Sequence, residues 1–135
     1  MLHHGGTETR RKLVLEDLTQ EIIGAAIEVH RALGPGLLES AYEECLCREL
    51  TLRGISFMRQ VPLPLEYKGV KLDCGYKLDV VIADSVILEL KSIESISPIH
   101  EAQLLTYLKL AGKKVGFVIN FNVPVLKSGI VRKIL

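Results

Sequence analysis

The sequence predicts a mixed α/β (α+β) fold in which helices flank a mixed sheet. Two helix-period segments come first, three strand-period segments follow, and a further helix and a buried strand come after them. That order, α-α-β-β-β-α-β, wraps strands in helices, so both faces of one sheet can be covered. With 135 residues the chain has room for one core, and residues 16–135 read as a single domain behind a flexible N-terminus, 1–15.

The first helix is written in the spacing of Leu18, Ile22, Ala25, Ala26 and Val29, which puts apolar groups on one face from Glu16 to Leu33. Gly34-Pro35-Gly36 ends it, since proline cannot continue a helix and glycine tolerates turn geometry. A second helix follows from about Leu37 to Leu52, and Arg53-Gly54 supplies a basic last turn and a stop. From Ile55 to Tyr67 the chain reads as extended: Val61, Leu63 and Leu65 alternate with Pro62, Pro64 and Glu66. Those prolines lack ladder donors, which places the segment at a sheet edge. Lys68-Gly69 is a turn. Val70–Ala83 and Val86–Lys91 are strand-like, being rich in β-branched residues. Ser97-Pro98 opens the third helix with a cap and a first-turn proline, and Ala111-Gly112 closes it. Val115 to Phe121 is continuously apolar, as a buried strand is. Ile130 to Leu135 can add a short strand at the end.

Composition excludes more than it selects. Hydrophobic residues are 48% and charged residues 24%, aromatics only 5%, and the net charge is +1. A nucleic-acid surface must therefore be a local patch and not a global field. No apolar run approaches the roughly 20 residues of a membrane span. Cys45, Cys47 and Cys74 are an odd set without a signal-like segment, which fits reduced, structural thiols and a cytoplasmic setting. Cys45 and Cys47 lie roughly 200° apart around a helix and cannot share a metal.

The chemistry concentrates between Asp79 and Lys91, where charges interrupt a segment that otherwise reads as buried. Glu89 and Lys91 share a strand face. If the hairpin turn centres on Asp84, Asp79 lies across from Glu89; a two-residue turn at Asp84-Ser85 puts it on the other face. The first register, with an odd-numbered loop, is the expectation. Two carboxylates about 5 Å apart repel, and a hard divalent cation, Mg²⁺ or Mn²⁺, relieves that. Lys91 can then orient water or stabilise a phosphorane-like transition state. The hairpin taken alone also reads as a solvated strand face.

Further motifs run in order along the chain. Leu33-Gly-Pro-Gly36-Leu-Leu-Glu39-Ser-Ala-Tyr42 resembles the signature of the GxxExxY family, a branch of the PD-(D/E)XK nuclease-like superfamily. Gln60-Val-Pro-Leu, Tyr67-Lys-Gly, Gly75-Tyr-Lys-Leu-Asp79, Glu89-Leu-Lys91, Gln103-Leu-Leu-Thr-Tyr107 and Gly116-Phe-Val-Ile-Asn120-Phe are similar to that family too. The resemblance covers about Leu18 to Phe121 and implies a restriction-endonuclease-like sheet. It implies Asp79 and Glu89 as metal ligands, with Lys91, Glu39 and Gln103 as catalytic residues. Lys77-Leu78 stand where the superfamily's name has a proline. Glu39 also suits a helix dipole, and Gln103 a solvated helix stripe shared with His100 and Tyr107. His30 and His100 read as surface or capping residues, and Tyr42 and Tyr107 as packing residues. The expected function is Mg²⁺- (or Mn²⁺-) dependent cleavage of nucleic acid, DNA first, by a monomer or homodimer. The alternative is an inactive module of the same fold that binds nucleic acid or protein.

Overall fold

A computed structural model describes the backbone from His4 to Leu135 and side chains from Leu15 onward. Helix α1 runs from His4 to Leu33. The stretch before Glu16, expected as a flexible terminus, is thus helical from His4; residues 1–3 lie outside the described residues. Helix α2 spans Glu39–Leu52, and Arg53 and a left-handed Gly54 (φ 71°) follow it, as the basic residue and glycine predict.

The extended segment divides into β1 (Phe57–Pro62) and β2 (Leu65–Tyr67). The next stretch divides into β3 (Val70–Leu72) and β4 (Lys77–Ile82). Single strands were expected in both places. Pro62 and Pro64 interrupt the first. Asp73 interrupts the second, its carboxylate accepting the Gly75 N–H at 3.1 Å in a turn of its own. Strands β2 and β3 pair only with each other, through the Lys68-Gly69 turn, as a separate two-stranded ribbon.

The main sheet adds β5 (Val86–Lys91), β6 (Val115–Asn120) and β7 (Ile130–Ile134), in the order β1-β4-β5-β6-β7. Proline-bearing β1 is an edge strand, as its missing donors require. Helix α3 (Pro98–Ala111) is the crossover between parallel β5 and β6. Its start is closed by the Ser97 N–H donating to His100 Nδ1 at 3.0 Å, so His100 is a capping residue. This is a mixed α/β fold of the restriction-endonuclease-like kind.

Burial divides by sheet face. Ile22, Ala25 and Val29 of α1 and Tyr42, Leu46 and Leu50 of α2 pack on Val80, Ile82, Leu88 and Phe117. On the other face Leu104, Tyr107 and Leu108 of α3 pack on Val81, Ile87 and Val118. Gly116 lets α3 come close: a Cβ there would stand 2.9 Å from Leu104 Cδ1 and 3.1 Å from the Ile87 carbonyl oxygen. Among the described residues no helix is long and apolar enough to cross a membrane.

The hairpin has the expected register. Val80 faces Leu88, Val81 faces Ile87 and Ile82 faces Val86, leaving an odd loop centred on Asp84. Ala83 and Asp84 take φ of 51° and 52°, and the Ser85 N–H donates to the Ile82 carbonyl at 2.9 Å. Positive φ at both central residues is the primed turn that matches strand twist.

Candidate active site

At the far end of the same hairpin the ladder opens. Backbone pairing of β4 with β5 stops at Val80–Leu88, and pairing of β1 with β4 skips from Arg59–Val80 to Val61–Leu78. Gln60, Asp79 and Glu89 therefore form a row across three strands that belongs to neither ladder. Side chains take over its bonding. The Asp79 N–H donates to Glu89 Oε2 at 3.0 Å, and the Leu90 N–H donates to Asp79 Oδ2 at 2.8 Å. Asp79 lies opposite Glu89 in register, but the two are joined through carboxylates and not through a backbone pair.

The distortion has a source on β1. Gln60 has φ 49°, a left-handed conformation for a residue with a Cβ, which costs on the order of 1–3 kcal/mol unless its surroundings hold it. They do. Gln60 Nε2 donates to Glu43 Oε1 at 2.6 Å, while Arg59 Nε and Nη2 donate to Glu43 Oε2 at 3.0 and 2.8 Å. Glu43 lies buried on α2 and so ties that helix to the strained residue beside Asp79. Neither Glu43 nor Arg59 stands out in the sequence, because an acid on a helix reads as solvated surface. Their one signal is the spacing of Glu43 four residues after Glu39, on the same helix face.

Glu39 itself is exposed at the rim, and its Oε2 accepts the Ser92 N–H at 3.1 Å. Ser92 Oγ donates to the Leu37 carbonyl at 2.6 Å, so the start of α2 is stitched to the residue after Lys91. On the other side of Lys91 the buried Asn120 accepts the Ile93 N–H at 3.1 Å and donates to the Ile93 carbonyl at 2.9 Å. The Phe121 N–H donates to the Lys91 carbonyl at 2.9 Å. The backbone of Lys91 is thereby held from both flanks.

Electrostatics separate this row from a solvated strand face. Glu89 is 5% exposed. Burial, then the charge of Asp79, pushes its carboxyl up to about 8, with Lys91 opposing. Burial also raises Asp79, offset in part by the Leu90 N–H; Glu43 and Glu39 add to the rise and Lys91 opposes it. Neither acid is in an ion pair, and Lys91 enters none among the described residues. Two acids that burial resists ionising, beside an uncommitted ammonium, fit a group that arrives with positive charge.

Gln103 lies elsewhere. It is half-buried on α3, lining a cleft with Tyr76 and Tyr107, and it makes no hydrogen bond to the row. Tyr107, on the same helix stripe as Gln103, packs in the core at 8% exposure, as a packing residue should. Tyr42 packs as expected, stacked on Phe121 at 4.4 Å with its hydroxyl donating to the Gly34 carbonyl. His30, expected at the surface or in a cap, is buried with Nε2 2.8 Å from the Val123 carbonyl oxygen. Cys47 is buried and Cys45 partly so, whereas Cys74 is exposed.

Among the described residues no three His, Cys, Asp or Glu side chains converge closely enough to hold a metal ion by themselves. Glu39 therefore does not join Asp79 and Glu89 as a third direct ligand here. The site comes down to two carboxylates with a lysine one pleat on and a third acid at the rim.

In comparisons with known proteins, residues 16–133 match the model of one family, the PD-(D/E)XK nuclease superfamily. No curated protein and no solved structure matches the chain.

Proposed function

From the premise that the chain belongs to the PD-(D/E)XK nuclease superfamily, we propose that it is a Mg²⁺-dependent phosphodiesterase acting on nucleic acid, within the GxxExxY branch. The observation that carries the reading is the open row, with Glu89 buried and Asp79 half-buried, and with neither these acids nor Lys91 in an ion pair among the described residues.

The donor set suits the ion. Mg²⁺ keeps several waters and is commonly held by one or two carboxylates together with substrate phosphate oxygens, not by an all-protein cage. Asp79 and Glu89 would supply those carboxylates, and Glu39 would act through water from the rim. Bound there, the ion would polarise the phosphate and acidify water. Lys91 stabilises the negative charge that builds on the phosphoryl oxygens and orients the attacking water. Hydrolysis adds the water oxygen to phosphorus and releases one ester oxygen, which takes up a proton.

A cleavage panel of DNA and RNA with Mg²⁺ or Mn²⁺ tests this. Asp79→Ala and Lys91→Ala are each expected to lower the rate by on the order of 10² or more, with unchanged circular dichroism. Equal cleavage by wild type and both variants would overturn the proposal.

A second reading is a module of the same fold that binds without cutting, since a fold does not by itself confer activity. A Mn²⁺ titration separates the two: binding at low millimolar or tighter that is lost in Asp79→Ala supports the enzyme.

A further inference from the structure

Helix α3 and the β2–β3 ribbon do not close against each other. Between them, where the ribbon returns to β4, is a cleft of about 400 Å³ whose walls include Leu65, Tyr76, Ile99, Gln103, Thr106 and Tyr107. It opens on the side of the sheet that Asp79 and Glu89 face, in phase with Val81 and Ile87 under α3. Tyr76 precedes Asp79 by three residues, roughly 10 Å of extended chain. Tyr107 shares its apolar cluster with Leu78, the neighbour of Asp79, and with Ile87, which faces the same way as Glu89. The Tyr107 hydroxyl is raised by burial and then by the nearby charge of Glu89.

The walls describe what would fit. Tyr76 is 44% exposed and stands edge-on to Tyr107 at 6.1 Å, and Ile99 is 72% exposed at the mouth. No charged side chain lines the cleft. A phosphate or carboxylate would find no counter-charge there, whereas a neutral planar ring would find aromatic and aliphatic surface. The Gln103 amide and the Thr106 hydroxyl have no hydrogen-bond partner among the described residues, and together they offer donors and acceptors to a ring edge. The negative backbone of a nucleotide would stay with Lys91, which shares a strand face with Glu89.

We propose that this cleft receives an unpaired nucleobase next to the phosphodiester that is cut, with Tyr76 stacking on it and Gln103 reading its edge. The inference rests on the nuclease reading above and narrows its substrate to single-stranded, frayed or flipped-out DNA or RNA. A base stacked inside a duplex cannot reach such a cleft, and aromatic platforms hold bases without regard to sequence.

The test uses the full chain carrying Asp79→Ala, which keeps Lys91 and slows cutting by on the order of 10² or more, with Mg²⁺ present. Fluorescence anisotropy is read for a short single-stranded oligonucleotide as DNA and as RNA, its duplex, and a single strand with abasic positions. Expected are at least tenfold tighter binding of single strand than of duplex and at least tenfold loss on the abasic strand. Adding Tyr76→Ala or the cleft-filling Thr106→Trp is expected to cause a similar loss, and adding Tyr76→Phe to leave binding intact. Equal binding of single strand and duplex, indifferent to Tyr76→Ala and to abasic positions, would overturn the cleft assignment and leave the nuclease reading standing. Absence of binding together with absence of wild-type cleavage on every substrate would remove the nuclease reading, and the cleft assignment with it. Protection of Tyr76 only by a second copy of the chain, seen by sedimentation, would make the cleft a self-association surface and also overturn the assignment.

Discussion

The β4–β5 hairpin carries acids at both of its ends, and the ends differ in nearly everything else. At the turn, Asp84 has 92% of its side chain exposed and pairs with Lys113 at 2.8 Å, and the ladder beside it is complete. At the open end, Glu89 is 5% exposed, Asp79 is half-buried, the ladder is interrupted, and no described cation pairs with either. Both ends also hold residues at positive φ, but for different reasons. Ala83 and Asp84 take it to make a tight turn, whereas Gln60 takes it in mid-strand and is held there by Glu43. A charge on a strand thus reveals little by itself. Burial without a counter-charge, beside a backbone held out of its ladder, is what marks a place built for chemistry.

The largest expected effect falls on Glu89. Its carboxyl sits near 8 in the fold against 4.5 as its ordinary value, and each unit is worth about 1.4 kcal/mol. The folded state therefore holds a proton that the unfolded state gives up. This stabilisation is full below about pH 4.5 and is lost as pH rises through about 8. Without metal, the melting temperature should fall across that window. Glu89→Gln should be more stable than wild type at pH 8, by on the order of a few kcal/mol, and saturating Mg²⁺ should stabilise wild type more at pH 8 than at pH 6. A flat profile in thermal melts would place Glu89 with the exposed acids.

A smaller effect is expected at the brace. Glu43→Ala removes the partner of Gln60 and Arg59 and should cost about 2 kcal/mol in urea unfolding, with weaker Mn²⁺ binding. Glycine adopts positive φ without strain, so adding Gln60→Gly should return much of the Mn²⁺ affinity, read by calorimetry. If affinity stays low in the double variant, Glu43 acts otherwise than by holding the strained backbone. At the turn the effect should be smallest. Asp84→Asn breaks an exposed pair while still tolerating the left-handed turn position, and should change stability by under about 0.5 kcal/mol, with cleavage unaltered. A large loss of cleavage there would erase the contrast between the ends.

Much of this was legible before folding, and the failures are instructive. Gly34-Pro35-Gly36, Arg53-Gly54, Ser97-Pro98 and Gly112 mark helix ends through backbone chemistry that acts within a few residues, and the helices end there. The hairpin register was one of two the sequence left open, because both strand faces are apolar between the charged ends. The structure has the expected one, with Val80 and Ile82 under α1 and α2 and Val81 under α3. Glu43 was not legible, since its partners Arg59 and Gln60 arrive from a strand that only folding brings to α2. His30 looked like a surface or capping residue and was buried by contacts distant in sequence.

By itself, then, the sequence determined the helices with their ends, the hairpin, and the presence of Asp79, Glu89 and Lys91 on it, all through interactions local to the chain. Tertiary structure alone decided that the ladder opens at Asp79, that Glu43 braces the opening, that Glu39 stands at the rim, and that Gln103 faces a neutral cleft. Those outcomes depend on which helix covers which sheet face and how deeply each charge is removed from water. Burial of that kind is a property of the packed whole, and no window of sequence contains it.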